Sequence, residues 1–351
     1  MNRTYRLLVF LLFACTLLAC GIEVIEKPEV APNKALALPP APLESIASDI
    51  ESKQRFLTNY EGITTLSGSL TSAGSDTLAN LMTLWSEAFQ RLYPSVIIQV
   101  TAAGSSTAPP ALVEGTANFG VMSRPLRDRE IEAFEQRYGY RPLEIRVAID
   151  AVAIYVHKDN PIDSITLAQL DASFSVTRRC GSPTDLVRWG DFGLTDEWQD
   201  RPLQLYGRNS VSGTYGFFKS VALCGGDYKN SMNEQPGSAS VVQAVATTLS
   251  GLGYSGVGHS SSGVKTLPLL NKDNVPILPT SETAASGQYP LSRYFLIYVN
   301  KPPNRALTPI EREFLLFVLS AQGQAIVVKD GYVPISGSVA ATERQAIMES
   351  S

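Results

Sequence analysis

From Ile63 onward the chain repeats one unit: a short β-rich run, a glycine, serine and threonine turn, and a stretch of apolar residues at helical spacing. Gly74-Ser75-Asp76-Thr77 stands before Leu78, Leu81, Met82, Trp85, Phe89 and Leu92, which fall on one face of a 3.6-residue repeat. Pro94 ends that helix before the run Val96 to Val100. Gly104-Ser105-Ser106-Thr107 then opens a second helix, Ala108 to Glu114, with Pro109 tolerated in its first turn. Ala117 to Met122 reads as the next strand and ends at Ser123-Arg124. This βαβαβ order predicts an α/β fold with a mostly parallel sheet and ligand-binding loops at the carboxyl ends of its strands.

Two further runs look like crossings between lobes. Val147 to Val156 is a long apolar strand, and Arg293 to Val299, preceded by Tyr289-Pro290, is another. If both are hinge strands, residues 63–148 and 292–351 make one discontinuous lobe and residues 149–291 the other. With 351 residues and 44% apolar content there is enough chain for two such lobes.

The turns carry the functional signal. A helix N-terminus exposes unpaired N–H groups and roughly half a positive charge. Three such starts, at Ser75-Asp76-Thr77, at Ser105-Ser106 and at Ser212-Gly213-Thr214, would bind an oxyanion if brought together. Arg208 and Arg124 stand in similar turns and could add charge. The plainer reading of any single stretch is a helix cap worth about 1 kcal/mol, and the arginines could equally be structural ion pairs. Tyr215, Phe217 and Phe218 read as core, and His157 and His259, far apart, as ordinary surface or core residues.

The first residues bear on location. Arg3 and Arg6 precede the apolar run Leu7 to Leu18, which ends in Leu17-Leu18-Ala19-Cys20. This resembles the bacterial lipobox, with Leu18 larger than usual. Residues 1–19 then read as a signal peptide and Cys20 as the lipidated N-terminus, an ordinary secretory signal being the alternative. Residues 22 to 62 hold Pro28, Pro32, Pro39, Pro40 and Pro42 and read as a spacer between membrane and globule. Once Cys15 and Cys20 are set aside, Cys180 and Cys224 remain. In an oxidising compartment that pair suggests a disulfide, two buried thiols being the other reading. A net charge of −4, more negative without Arg3 and Arg6, argues against a nucleic-acid partner. Two distant histidines and no Cys-x-x-Cys give no spacing for a metal.

These motifs occur in a familiar order. Gly74-Ser75-Asp76-Thr77-Leu78, Gly104-Ser105-Ser106-Thr107, Phe119 to Leu126, Arg208-Asn209-Ser210-Val211-Ser212-Gly213-Thr214 and Gly253 to Gly258 resemble, in sequence and succession, the phosphate-binding proteins of bacterial phosphate ABC transporters. The likeness spans 63 to 340. It implies the two-lobed periplasmic-binding-protein fold, inorganic phosphate as ligand, a membrane permease as partner, a membrane contact through the lipid alone, and a monomer without cofactor. It also implies roles: hydroxyl and backbone donors from Ser75, Thr77, Ser105 or Ser106, Arg208 as the charged clamp, and Ser212, Gly213 and Thr214 capping the anion. Where many family members have an aspartate, this chain has Ser123 beside Arg124. That aspartate accepts the phosphate proton and rejects sulfate, and Asp76 is expected to replace it.

An enzyme is the rival class. No Gly-x-Ser-x-Gly elbow occurs, and a phosphatase would usually need metal ligands. A surface or sensory lipoprotein that kept the fold, or a receptor for sulfate or molybdate, remains an alternative.

Overall fold

A computed structural model describes residues 57–349 of the chain. The leader over 1–19, Cys20 and the spacer through residue 56 lie outside the described residues. Backbone packing begins before Ile63. Leu57 is buried, and the Tyr60 hydroxyl bonds to those of Tyr93 at 2.8 Å and to Glu313 Oε2 at 2.9 Å.

The first three strands, β1 (Gly68–Gly74), β2 (Val96–Thr101) and β3 (Phe119–Met122), alternate with helices α1 (Ala79–Leu92) and α2 (Ala108–Glu114). β1 lies between the other two and runs parallel to both. α1 buries Leu81, Met82, Trp85 and Phe89 of the stripe its spacing predicts, while Leu92 in its last turn is exposed. Its first helical residue is Ala79, so Ser75 to Leu78 form a tight turn. α3 (Asp128–Tyr138) follows, and then the long strand β4 (Leu143–His157).

β4 holds the molecule together. Every residue from Val147 to Val156 is buried, which is why the run is apolar without alternation. Its first part pairs antiparallel with β12 (Ser292–Val299), which in turn pairs with β3. Its second part pairs with β8 (Gly251–Gly256) and β9 (Val264–Leu267). Between them in sequence come β5 (Ile165–Thr166), α4 (Leu167–Phe174), β6 (Gln204–Arg208), α5 (Gly213–Val221), β7 (Asn233–Gln235) and α6 (Ser238–Ala246). β6 runs parallel to β7 and β8. The sheet order is β2-β1-β3-β12-β4-β8-β6-β7, with β9 also on β4. The outer strands on each side are parallel, as the βαβ pattern predicts. The two crossing strands are antiparallel, because each enters from the opposite side.

A small sheet of β5 with β10 (Leu269–Leu270) and β11 (Pro276–Ile277) flanks the second half. After α7 (Ser281–Ala285) and β12, three helices close the first half: α8 (Pro309–Val318), α9 (Ala321–Lys329) and α10 (Gly337–Met348). Phe314 packs on Phe89 and Phe119, with ring centroids 5.3 and 5.5 Å apart. Trp85 Nε1 donates to the Gly323 carbonyl at 2.8 Å. Cys180 and Cys224 form a disulfide with a Cα separation of 5.5 Å.

Candidate functional site

The carboxyl ends of β1, β3 and β6 deliver Ser75, Ser123 and Arg208 to one place. Ser75 Oγ donates to Ser123 Oγ at 3.1 Å, and the Ser123 N–H donates to Ser105 Oγ at 3.1 Å. Ser105 begins a short 3₁₀ turn, Ser105–Thr107, that leads into α2. Across from these stands the start of α5. Its N-cap is Ser212, whose hydroxyl accepts the Thr214 N–H at 3.1 Å. A methyl on Gly213 would strike both the Ser105 and the Ser123 hydroxyls, so the bare glycine lets α5 approach them. The Thr77 and Thr214 hydroxyls meet at 3.1 Å. Ser75, Thr77, Ser105, Ser123, Ser212 and Thr214 are all at most 2% exposed.

Backbone contacts lock the approach. Gly104, at a φ of 111°, donates its N–H to the Gly74 carbonyl at 2.8 Å. The Ser106 N–H donates to the Val211 carbonyl at 3.1 Å, joining the start of α2 to the loop before α5. A Cβ on Gly104 would run into Val211.

Arg208 ends β6 with its guanidinium buried. Nη1 donates to Ser238 Oγ at 2.9 Å, Nη2 to the Pro236 carbonyl at 3.0 Å, and Nη2 lies 2.6 Å from Asp76 Oδ2. A buried arginine needs such partners to offset lost hydration. Asp76 therefore turns to Arg208 rather than to its helix, and Leu78, the N-cap of α1, has no side-chain cap. Asp76 Oδ1 is buried and has no hydrogen-bond partner.

Arg124 takes its partners at the edge of this cluster. Its Nη1 and Nη2 bind the two oxygens of Glu130, on α3, at 2.8 and 2.7 Å, and Nη2 reaches Ser106 Oγ at 3.3 Å. Burial pushes the Glu130 carboxyl up, but hydrogen bonds from Arg124 and the Arg127 N–H outweigh it and hold the group below its ordinary value. The structure thus brings Ser75, Thr77, Ser105, Ser123, Ser212, Gly213 and Thr214 together, with Arg208 and Asp76 beside them. Ser106 and Arg124 form a separate pair at the edge.

Sequence reasoning missed two residues here. Asp150 of β4 and Arg293 of β12 form an ion pair, Nη2 to Oδ2 at 2.7 Å and Nε to Oδ2 at 3.0 Å. Arg293 Nη2 also donates to Thr214 Oγ1 at 2.8 Å. A lone aspartate within the fully buried run Val147 to Val156 was the available signal, since an unpaired charge there would be very costly. His259 is half-buried beside Tyr332; its Nε2 lies 3.2 Å from the Tyr332 hydroxyl, which donates to the Thr77 carbonyl at 3.1 Å. Among the described residues no group of three or more histidine, cysteine, aspartate or glutamate side chains could hold a metal ion, and no helix is long and apolar enough to cross a membrane.

A sheet shared by two halves through crossing strands, with helix starts and a buried arginine converging from both, defines a two-lobed binding protein. Comparison with known proteins agrees. Residues 59–322 match a family model described as a PBP superfamily domain. The chain is 56% identical over 295 residues to the phosphate-binding protein PstS of Pseudomonas aeruginosa, covering 84% of this chain and 91% of that one. It is 27% identical to the protein SphX of Synechococcus elongatus, over 78% of this chain and 80% of the relative. A crystal structure of an ABC-type phosphate transport receptor from Vibrio cholerae superposes with a TM-score of 0.59 at 23% identity, covering 75% of this chain and 99% of that one, a likeness of fold. The chain belongs to the PstS family of phosphate-binding proteins within the PBP superfamily.

Proposed function

We propose that this chain is an exported receptor that captures inorganic phosphate between its two lobes and delivers it to the permease of an ABC transporter. The lobes are residues 63–148 with 292–351, and residues 149–291. The observation that carries the reading is the convergence, on one buried point, of hydroxyls and helix starts from both sides: Ser75, Thr77, Ser105 and Ser123 from the first, Ser212, Gly213 and Thr214 from the second. Family membership supports phosphate as the anion.

In this reading the hydroxyls and the N–H groups of the helix starts replace the water of the anion. Arg208 supplies the charge, and its pairing with Asp76 fixes the guanidinium before the ligand arrives. Asp76 Oδ1 is left to accept a proton carried by the phosphate. Ser106 and Arg124 border the site and hold the start of α2 in place. No bond of the ligand is made or broken; the lobes close on it and release it when they open at the permease. Cys20 carries a lipid that tethers the monomer to a bacterial membrane, and the spacer between it and the packed residues that begin at Leu57 gives it reach.

Calorimetric titration of the mature protein with phosphate, sulfate and molybdate tests this. Phosphate should bind in one-to-one ratio and far more tightly than the others. No heat with phosphate at any concentration, or tighter binding of sulfate, would overturn the proposal. Cys20→Ala tests the anchor separately: the variant should move to the aqueous phase of a detergent separation, and unchanged partitioning would remove the lipid.

A further inference from the structure

We infer that Asp150, held by Arg293, is a second specificity-determining residue that accepts a hydrogen bond from the protonated oxygen of the bound anion. The inference rests on the proposed phosphate site and adds a residue to it.

Asp150 is fully buried, and both of its bonds from Arg293 fall on one oxygen, Oδ2. Its other oxygen, Oδ1, is buried without a partner. Arg293 Nη1 is buried without a partner as well. A buried carboxylate oxygen and a buried guanidinium donor left open together are costly, and native structures seldom keep both without a reason.

Their position gives the reason. A Cβ built on Gly256 would stand 3.0 Å from Asp150 Oδ1, 3.4 Å from Oδ2 and 3.4 Å from the Thr77 methyl, so the carboxylate and Thr77 border the same small space. Arg293 Nη2 bonds to Thr214 Oγ1, which itself meets Thr77 Oγ1. The pair therefore sits against two of the proposed ligand hydroxyls, on the two strands, β4 and β12, that cross between the halves. Gly256 has no side chain to intrude there, and Phe217 covers the guanidinium, with Arg293 Cζ 5.1 Å from its ring centroid.

The open acceptor is satisfied by a ligand that offers an O–H, and the open donor of Arg293 by a bare oxygen. A protonated phosphate offers both. Sulfate, with no proton at neutral pH, would place oxygen against Oδ1 and be repelled.

Phosphate and sulfate affinities of the full mature protein, Asp150→Asn and Asp76→Asn, measured by calorimetry, test the inference. Asn keeps an acceptor for Arg293 but can turn its N–H toward sulfate. Asp150→Asn should cut the phosphate-to-sulfate preference roughly tenfold or more, about the worth of one hydrogen bond to a charged group. An unchanged ratio in a variant that still binds phosphate would overturn the role of Asp150 while leaving the phosphate site standing. Wild type that binds no phosphate would instead defeat the proposed function. Should Asp150→Asn not fold, the double variant Asp150→Asn, Arg293→Gln removes both charges together. It should show the same lowered preference, and a wild-type ratio would count against the inference.

Discussion

At the residue scale, the site depends on one arginine and one missing side chain. Arg208 is 1% exposed and is held by Ser238, Pro236 and Asp76, with Nη1 bonded only to Ser238. Arg208→Ala should weaken phosphate binding by about 2 kcal/mol or more, because charge-assisted bonds in a desolvated site are the strong ones. Affinity within error of wild type would remove Arg208 from the site. Gly213→Ala should fold, since α5 tolerates alanine better than glycine. Its methyl would nevertheless displace Ser105 and Ser123, and phosphate affinity should fall more than for Ser75→Ala. Much of this was legible in the sequence, because each motif is local: a strand end, a glycine or serine, and a helix start lie within a few residues. Asp150 and Arg293 were not, because they are 143 residues apart and meet only through the pairing of β4 with β12. Arg124 reads the same as Arg208 by its turn, yet Glu130, six residues on, claims it.

At the element scale, the helix starts are held by contacts outside the ligand site. Arg124 and Glu130 tie the loop after β3 to α3. The folded Glu130 carboxyl lies below its ordinary value, so its contribution is present above the usual carboxylate range near pH 4.3 and is lost as the pH falls through the folded value. The difference in melting temperature between wild type and Glu130→Gln should therefore be greatest near neutral pH and shrink in acid. A difference independent of pH would show that the ion pair does not stabilise the fold. The Cys180–Cys224 bond closes a 44-residue separation around β6 and α5. Removing it with paired serines should cost roughly 3 to 4 kcal/mol by the chain-entropy estimate, read from denaturant unfolding. No loss would mean that the unfolded loop is already restrained. Element spacing was the most legible level of all: α1 follows its apolar stripe, and both crossing strands show as apolar runs. The antiparallel pairing of those runs was not legible, since direction depends on which side each strand enters.

At the scale of the whole molecule, the two halves meet through contacts that an anion would complete. Asp76 reaches Arg208, Thr77 reaches Thr214, and the Ser106 N–H reaches the Val211 carbonyl. Each joins a residue before β4 to one after it. A ligand bound among them would add bonds to both halves at once and so favour the closed arrangement by its differential affinity. The most direct measurement is a crystal structure of the mature protein with phosphate. The anion should lie among Ser75, Ser105, Ser123 and the start of α5, within hydrogen-bond distance of Arg208, with one oxygen near Asp76 or Asp150. Phosphate bound elsewhere, or touching only one half, would contradict this placement.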